Sequence, residues 1–264
     1  MQKTFSIISG ITLVLALALL SGCGQGAQRE TGIPQRNVLT EAEIADGWEL
    51  LFDGKTTSGW RGFQKQDLTI DEGWYVHNGE LVAAGTGGDI GGDIVTKRKF
   101  RNFIFETEWR IDNGGNSGIL YLVGENGYNA VYETGPEYQL LDDLGFMGQI
   151  ALGPDAIDAS FQLEPWHMTG ANYGMHAPTD AAAFRPATYP NTTRIVVDNG
   201  HVEHWLNGVK VVEYELWSDE WEELVASGKW ADFPGYGRYR EGHIALQDHG
   251  SKVWFWNMKI KELD

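Results

Sequence analysis

Residues 194–214 read RIVVDNGHVEHWLNGVKVVEY. Two Asn-Gly pairs, at 199–200 and 207–208, divide three short runs in which apolar and polar residues alternate. Asn-Gly between alternating runs is a strong signal for a two-residue hairpin, because both turn positions need positive φ. The stretch therefore predicts an antiparallel meander of Arg194–Val197, His201–Leu206 and Val209–Tyr214. In its middle strand Val202, His204 and Leu206 share one face; His201, Glu203 and Trp205 share the other.

The same grammar extends outward. Asn78-Gly79 joins Trp74–His77 to Glu80–Ala84. Phe103–Ile111 alternates strictly, with Phe103, Phe105, Thr107, Trp109 and Ile111 on one side. Trp48–Phe52 ends at the Asp53-Gly54 turn signal, and Ile119–Val123 follows a Gly-rich bend. His243–His249 and Lys252–Ile260 form a closing hairpin. Two short helices interrupt. Thr40 and Glu43 make a capping box for a helix that runs to Asp46 and stops at Gly47. Ser218 caps a second, whose buried stripe is Trp221, Leu224 and Val225 and which ends at Gly228. Residues 145–192 are irregular and read as long loops over one face, a common seat of function. Many short strands with turn signals between them predict an all-β fold, a jelly-roll β-sandwich with one or two short peripheral helices.

The N-terminus is not part of that fold. Lys3, then the apolar run 5–20, then Leu20-Ser21-Gly22-Cys23, has the layout of a bacterial lipoprotein signal, too short for a stable span. Residues 1–22 are the signal peptide, Cys23 is the lipidation site, 23–38 are a polar flexible tether, and 39–264 are one domain. The expected location is the cell envelope, lipid-anchored, on the periplasmic or outer-membrane face. Cys23 is the single cysteine, so disulfides play no part although the chain is exported. The formal net charge is −17 and falls further once Lys3 is removed. So acidic a body excludes nucleic acid as a partner, and leaves Cys23 as the link to the lipid membrane. Eleven Trp, eleven Phe and ten Tyr would serve either a large β-core or platforms for sugar rings.

Residues 135–143, GPEYQLLDD, raise the question of function. Alternation puts Glu137 and Gln139 on one face, with Tyr138, Leu140 and Asp142 on the other; Asp142 suits a turn or loop anchor. In 243–250, HIALQDHG, His243, Ala245, Gln247 and His249 share a face. Amides, imidazoles and a carboxylate on sheet faces suit vicinal hydroxyls, each of which both donates and accepts. The plainer alternative is a solvated sheet surface, and it is the better one for His201 and Glu203 beside their turn. Several chemistries are absent: a cysteine nucleophile, His-Glu-x-x-His, Gly-x-Ser-x-Gly and a Walker loop do not occur. The duplicated GGDI at 87–94 offers Asp89 and Asp93 to a calcium ion, although acids in a Gly-rich loop are ordinarily just solvated. No cofactor and no metal site is expected, calcium being the one ion those two acids would suit.

Seven motifs together carry a resemblance: ELLFDGKTTSGW (49–60), GWYVHNGELVA (73–83), DIVTK (93–97), EWRIDNGGNSGILY (108–121), GPEYQLLDD (135–143), HVEHWLNGVKVVEYE (201–215) and GHIALQDHG with VWFWNMKI (242–260). In order and spacing the chain resembles the 3-keto-disaccharide hydrolase domain family over residues 47–263. The resemblance implies a concanavalin A-like (LamG-type) jelly roll and an exported enzyme that cleaves glycosides oxidised to a ketone at C3. Such a ketone acidifies the C2 hydrogen, so cleavage needs a base, a donor for the enolate and an acid for the leaving group. Glu137, Gln139 and Asp142 match the family's E-x-Q-x-x-D, Asn116-Ser117-Gly118 its Asn-Ser-Gly, and Gln247-Asp248-His249 its Gln-Asp-His. Thr169–Tyr173 resembles its Gly-Ala-Leu-Tyr loop, with Asn172 as the odd residue. The implied catalytic pair is Glu137 and His249. The implied substrate-binding residues are Asn116, Gln139, Gln247 and, on the long loops, Trp166, His167 and Tyr173. Relatives often carry Arg where this chain has Leu122 and Trp256, and Gly-Glu-Trp-Asn where it has Ala187–Asn191, so a sugar-binding cation is expected to be missing. A non-catalytic, lectin-like carbohydrate-binding module on the same fold is the alternative, since fold does not fix function; a purely structural envelope lipoprotein is the third.

Overall fold

Two antiparallel sheets make up the body of the computed structural model, which describes residues 35–65, 70, 72–87, 92–151 and 163–264. The signal peptide, Cys23 and Asp89 lie outside the described residues. In chain order the strands are β1 (Trp48–Leu50), β2 (Trp60–Gly62), β3 (Trp74–His77), β4 (Glu80–Ala83), β5 (Ile94–Thr96), β6 (Phe103–Ile111), β7 (Asn116–Val123), β8 (Glu137–Leu141), β9 (Asn191–Asp198), β10 (His201–Leu206), β11 (Val209–Glu215), β12 (His243–Leu246) and β13 (Val253–Glu262). The larger, eight-stranded sheet runs β11-β10-β9-β6-β13-β4-β3, with β1 also on β13; the smaller, five-stranded sheet runs β2-β5-β12-β7-β8. This is the jelly-roll β-sandwich that the turn pattern predicts.

The three Asn-Gly hairpin turns adopt the geometry their residues favour. Asn78/Gly79, Asn199/Gly200 and Asn207/Gly208 all have positive φ at both positions, which matches the twist of the flanking strands. The core lies between the sheets. Phe103, Phe105, Trp109, Ile111, Ile195, Val197, Val202 and Leu206 project from the larger sheet; Ile94, Ile119, Tyr121, Tyr138, Leu140, Ile244 and Leu246 project from the smaller. His204 lies in this core, between Tyr121 Oη at 2.8 Å and the Gly170 carbonyl at 3.0 Å. Burial holds its imidazole neutral, with a pKa pushed down to about 3.

Among the described residues three α-helices decorate the sandwich: α1 (Glu41–Ala45), α2 (Asp143–Ala151) and α3 (Asp219–Ser227). Thr40 and Glu43 form the expected capping box on α1. Ser218 caps α3, and Trp221 and Val225 are its buried residues. Helix α2 corrects the expectation of loop from residue 145. Gly145 and Gly148 disguise it in sequence, yet Asp143 in its first turn complements the helix dipole. Residues 36–38, read as the end of the tether, dock onto the larger sheet. A bulge between Trp256 and Lys259 takes Asn257 out of the ladder. Asn37 repairs it by a reciprocal pair: its N–H donates to Asn257 Oδ1 at 2.6 Å, and Asn257 N–H donates to Asn37 Oδ1 at 2.8 Å.

Strand β8 is the edge of the smaller sheet, and the chain does not leave that edge open. The segment 169–173 runs along it. Gly170 N donates to Gln139 O at 2.9 Å, Gln139 N to Ala171 O at 3.1 Å, and Tyr173 N to Glu137 O at 3.0 Å. Thr169 Oγ1 accepts from Leu141 N at 3.0 Å, and Thr169 is itself tied to the Asp143 carboxylate. Asp142 is the loop anchor its position suggests. Its two oxygens accept from Gly114 N at 2.8 Å and Ala187 N at 3.2 Å.

A file of near-parallel rings stands behind the smaller sheet: His176, Tyr214, Trp221, Tyr236, Trp230. Successive centroids are 4.6, 5.3, 5.6 and 3.9 Å apart, with interplanar angles of 10° or less. Such offset stacks hold their members rigidly.

Candidate active site

Pairing register decides what surrounds Glu137. On the outer face of the smaller sheet Glu137 lies opposite Leu120, and Gln139 opposite Gly118. Strand β12 ends at Leu246, earlier than the expected His249, but the direction persists. Gln247 N donates to Gly118 O at 3.0 Å and Gln247 O accepts from Ser117 Oγ at 2.8 Å, which carries the Gln247 side chain onto the same outer face. His249 follows past Asp248, whose carboxylate accepts from Gly87 N and Gly250 N, both at 3.0 Å. His243 shares the outer face with Ala245, as expected, with Ile244 and Leu246 turned into the core, but it does not line the pocket: its Nδ1 donates to Thr96 O at 2.7 Å and its Nε2 meets Arg61 at 3.4 Å.

The result is a pocket of about 160 Å³ lined by Asn116, Tyr132, Glu137, Gln139, Tyr173, Lys229, Gln247 and His249. Six of these are sequence candidates brought together from four separate segments. Trp166 and His167 stand one ring further out: His167 packs 5.1 Å from Tyr173, and Trp166, 42% exposed, 6.1 Å from His167. Tyr132 and Lys229 were not foreseen. Tyr132 sits in a 3-10 turn, Val131–Glu133, and Lys229 opens another, Lys229–Asp232, directly after the Gly228 that ends α3. A Gly-Lys pair after a helix reads as an ordinary helix stop, so nothing local marks Lys229.

Glu137 is the floor of this pocket and is 5% exposed. Among the described residues none donates a hydrogen bond to its carboxyl. Burial, with a smaller contribution from Asp93, pushes its pKa up to about 8; Lys229 opposes the rise. Gly118 makes room for it, since a Cβ at that position would overlap the Glu137 carboxyl oxygen. Around the floor the buried acceptors are unpaired. Gln139 Nε2 donates to Asn116 Oδ1 at 3.3 Å, but Gln139 Oε1 and Gln247 Oε1 have no partner among the described residues. Buried polar atoms are ordinarily satisfied, so two orphan oxygens at one pocket are sites for donors from a ligand.

Lys229 lies over two rings, with Nζ 4.3 Å from the centroids of both Tyr173 and Trp230. It makes no ion pair with a described residue. Burial lowers its pKa, against the pull of Glu137. The cation expected to be missing is therefore not the relevant one. Leu122 is buried in the core, and Trp256 is stacked beneath the Arg36 guanidinium at 4.5 Å on the larger sheet. Neither lines the pocket.

A larger groove of about 430 Å³ crosses the outer face of the larger sheet. Its charges are already spent on one another: Lys259 pairs with Glu43 and Glu106, Arg194 with Glu106, and Asn257 with Glu108. Chemistry belongs to the smaller pocket. As for a metal, Asp93 accepts from Asp248 N at 3.0 Å. Among the described residues the group close enough to share an ion is His201, Glu203 and Glu213, where Lys210 already stands 3.1 and 2.7 Å from the two carboxylates.

Comparison with known proteins adds to this geometry. The model of the 3-keto-alpha-glucoside-1,2-lyase-like domain matches residues 47–261. A 3-keto-disaccharide hydrolase of Bacteroides thetaiotaomicron is 34% identical over 243 residues, 83% of this chain and 80% of that protein. A crystal structure of a candidate glycosyl hydrolase from Parabacteroides distasonis superposes with a TM-score of 0.77 at 41% identity, covering 87% of this chain and 100% of that one. A second candidate glycosyl hydrolase from the same organism shares the fold, with a TM-score of 0.58 at 23% identity over 82% of this chain and 99% of that one.

Proposed function

The chain belongs to the 3-keto-alpha-glucoside-1,2-lyase-like domain family, and from that premise we propose that it cleaves 3-keto glycosides by elimination and hydration at C1–C2. The observation that carries this is Glu137: a buried carboxyl with no hydrogen bond from a described residue, with a pKa of about 8, on the floor of a pocket lined by amides and an imidazole. A base for a carbon acid is most effective when its pKa lies near the working pH.

Glu137, once ionised, takes the C2 proton, and the C2–H electron pair moves into the C3 carbonyl to give an enolate. Collapse of the enolate forms C1=C2 and breaks the C1–O bond. His249, on the exposed side of the pocket, gives the departing oxygen its proton. Water then adds: its oxygen bonds to C1, its proton passes to His249, and Glu137, whose carboxyl proton has exchanged with solvent in the interval, protonates C2. The sum is hydrolysis, with each group restored. The orphan oxygens of Gln139 and Gln247 accept from sugar hydroxyls, and Asn116 and Tyr173 fix the ring. Trp166 and His167 suit contacts with the aglycone at the rim.

Purified protein should release the aglycone from a 3-keto disaccharide and leave the unoxidised disaccharide intact. Run in D2O, elimination and hydration place deuterium at C2 of the released sugar, beyond the exchange of free 3-keto sugar in the same buffer. A product with its C2–H intact would remove the lyase route and leave direct hydrolysis. The envelope location rests on Cys23: Cys23→Ser should move the protein from the membrane to the soluble fraction.

A further inference from the structure

We propose that the Lys229 ammonium is the group that receives the C3 oxygen as it becomes an enolate, and that this residue makes the pocket select a ketone over a hydroxyl at that carbon. This rests on the reading above and supplies a role that reading leaves open. An enolate oxygen needs a hydrogen-bond donor, preferably charged and aimed before the reaction starts. The amides of the pocket are neutral. Gln139 has its Nε2 turned to Asn116, and the buried oxygens that Gln139 and Gln247 leave without a partner among the described residues are acceptors, which hold hydroxyls and repel an enolate.

Lys229 has the opposite character. It lines the same pocket, makes no ion pair with a described residue, and rests on the faces of Tyr173 and Trp230. Aromatic faces steady an ammonium without taking its protons, so its N–H donors stay available. The platform is firm: Trp230 Nε1 donates to Tyr173 O at 3.3 Å, and its ring stacks 3.9 Å from Tyr236. Charge bookkeeping fits as well. Before proton transfer the negative charge facing Lys229 is on Glu137; afterwards Glu137 is neutral and the charge is on the C3 oxygen. The cation keeps an anion throughout, and a sugar with C3–OH never presents one.

The test compares Lys229→Met and Lys229→Arg with wild type on a 3-keto disaccharide. Lys229→Met should lose about 10²- to 10³-fold in kcat, the scale for removing one oxyanion donor, with KM changed less than about threefold. Lys229→Arg, which keeps the charge, should recover part of the loss. An unchanged kcat with raised KM would overturn the proposal, because Lys229 would then be a wall of the site. So would a stable covalent adduct at Lys229 after borohydride treatment with substrate, which would make it a nucleophile. If wild type leaves 3-keto glycosides intact, the lyase reading fails and Lys229 is judged by binding alone. In a Glu137→Gln background, the 3-keto glucoside should bind tighter than the parent glucoside, and Lys229→Met should erase the preference. Equal affinities before that second substitution would sink the assignment.

Discussion

Two faces of the sandwich carry nearly the same residue types and do opposite things with them. On β10 and β11, His201, Glu203, Lys210, Glu213 and Glu215 form an outward-facing cluster; on the smaller sheet, Glu137, Lys229 and His249 form the pocket. In the first, hydrogen bonds to Glu215 raise the His201 pKa, and Glu213 and Glu203 raise that of Lys210. The second inverts this: burial raises the Glu137 pKa to about 8 and lowers that of Lys229. The difference is not composition but cover. Segment 169–173 pairs along β8 and Lys229 lines the pocket above Glu137, while Glu213 and Glu215 on β11 are exposed to water. Charges in water find one another cheaply; charges under cover are left incomplete until a ligand arrives.

The largest test of that contrast is Glu137→Gln, which should reduce kcat on a 3-keto glycoside by about 10³-fold or more, at the upper end for loss of a general base. Next comes Gly118→Ala. The added Cβ would displace the Glu137 carboxyl without altering its chemistry, and a loss of about 10²-fold in kcat with native near-UV circular dichroism is expected. The third uses pH. Glu137 has a folded-state pKa of about 8 against an ordinary 4.5, so the folded state holds the proton more tightly. Its contribution to stability is complete below 4.5 and is lost as pH rises toward 8. Glu137→Gln lacks that loss, so the variant should become the more stable protein by roughly 3 kcal/mol at pH 7. Denaturant melts at pH 4.5 and 7 would read the crossover, and kcat/KM of wild type should climb through a limb near pH 8. The smallest effect belongs to the other face. Lys210→Met should leave kcat unchanged and barely move the denaturation midpoint, since exposed ion pairs contribute little.

The strands were legible because their signals are local. Asn199-Gly200 and Asn207-Gly208 need no tertiary context to turn, and Phe103–Ile111 shows its buried side by alternation alone. Parity also placed Gln139 and Gln247 correctly, although β12 ends three residues short of the expected His249. His243 keeps that parity as well, but it meets Arg61 instead of lining the pocket. Lys229 was illegible for a different reason. It reaches the pocket only because α3 packs Trp221 into the ring stack, and no spacing along the chain encodes that. The same holds for Leu122 and Trp256, where a family likeness suggested a lost cation and the three-dimensional arrangement puts both residues elsewhere.

The ring file running from His176 to Trp230 has an optical consequence. Its four near-ultraviolet chromophores, Tyr214, Trp221, Tyr236 and Trp230, held nearly parallel with the last pair 3.9 Å apart, have coupled transitions and should give an intense band in the near ultraviolet, where fixed packing is reported. Trp230 stands at the end of the file and under the Lys229 ammonium. Anything that draws the ammonium away from the indole alters the charge felt by that emitter. Sugars are colourless, yet their arrival in this pocket should be visible as a change in tryptophan fluorescence, so single turnovers become accessible to stopped-flow mixing without any label.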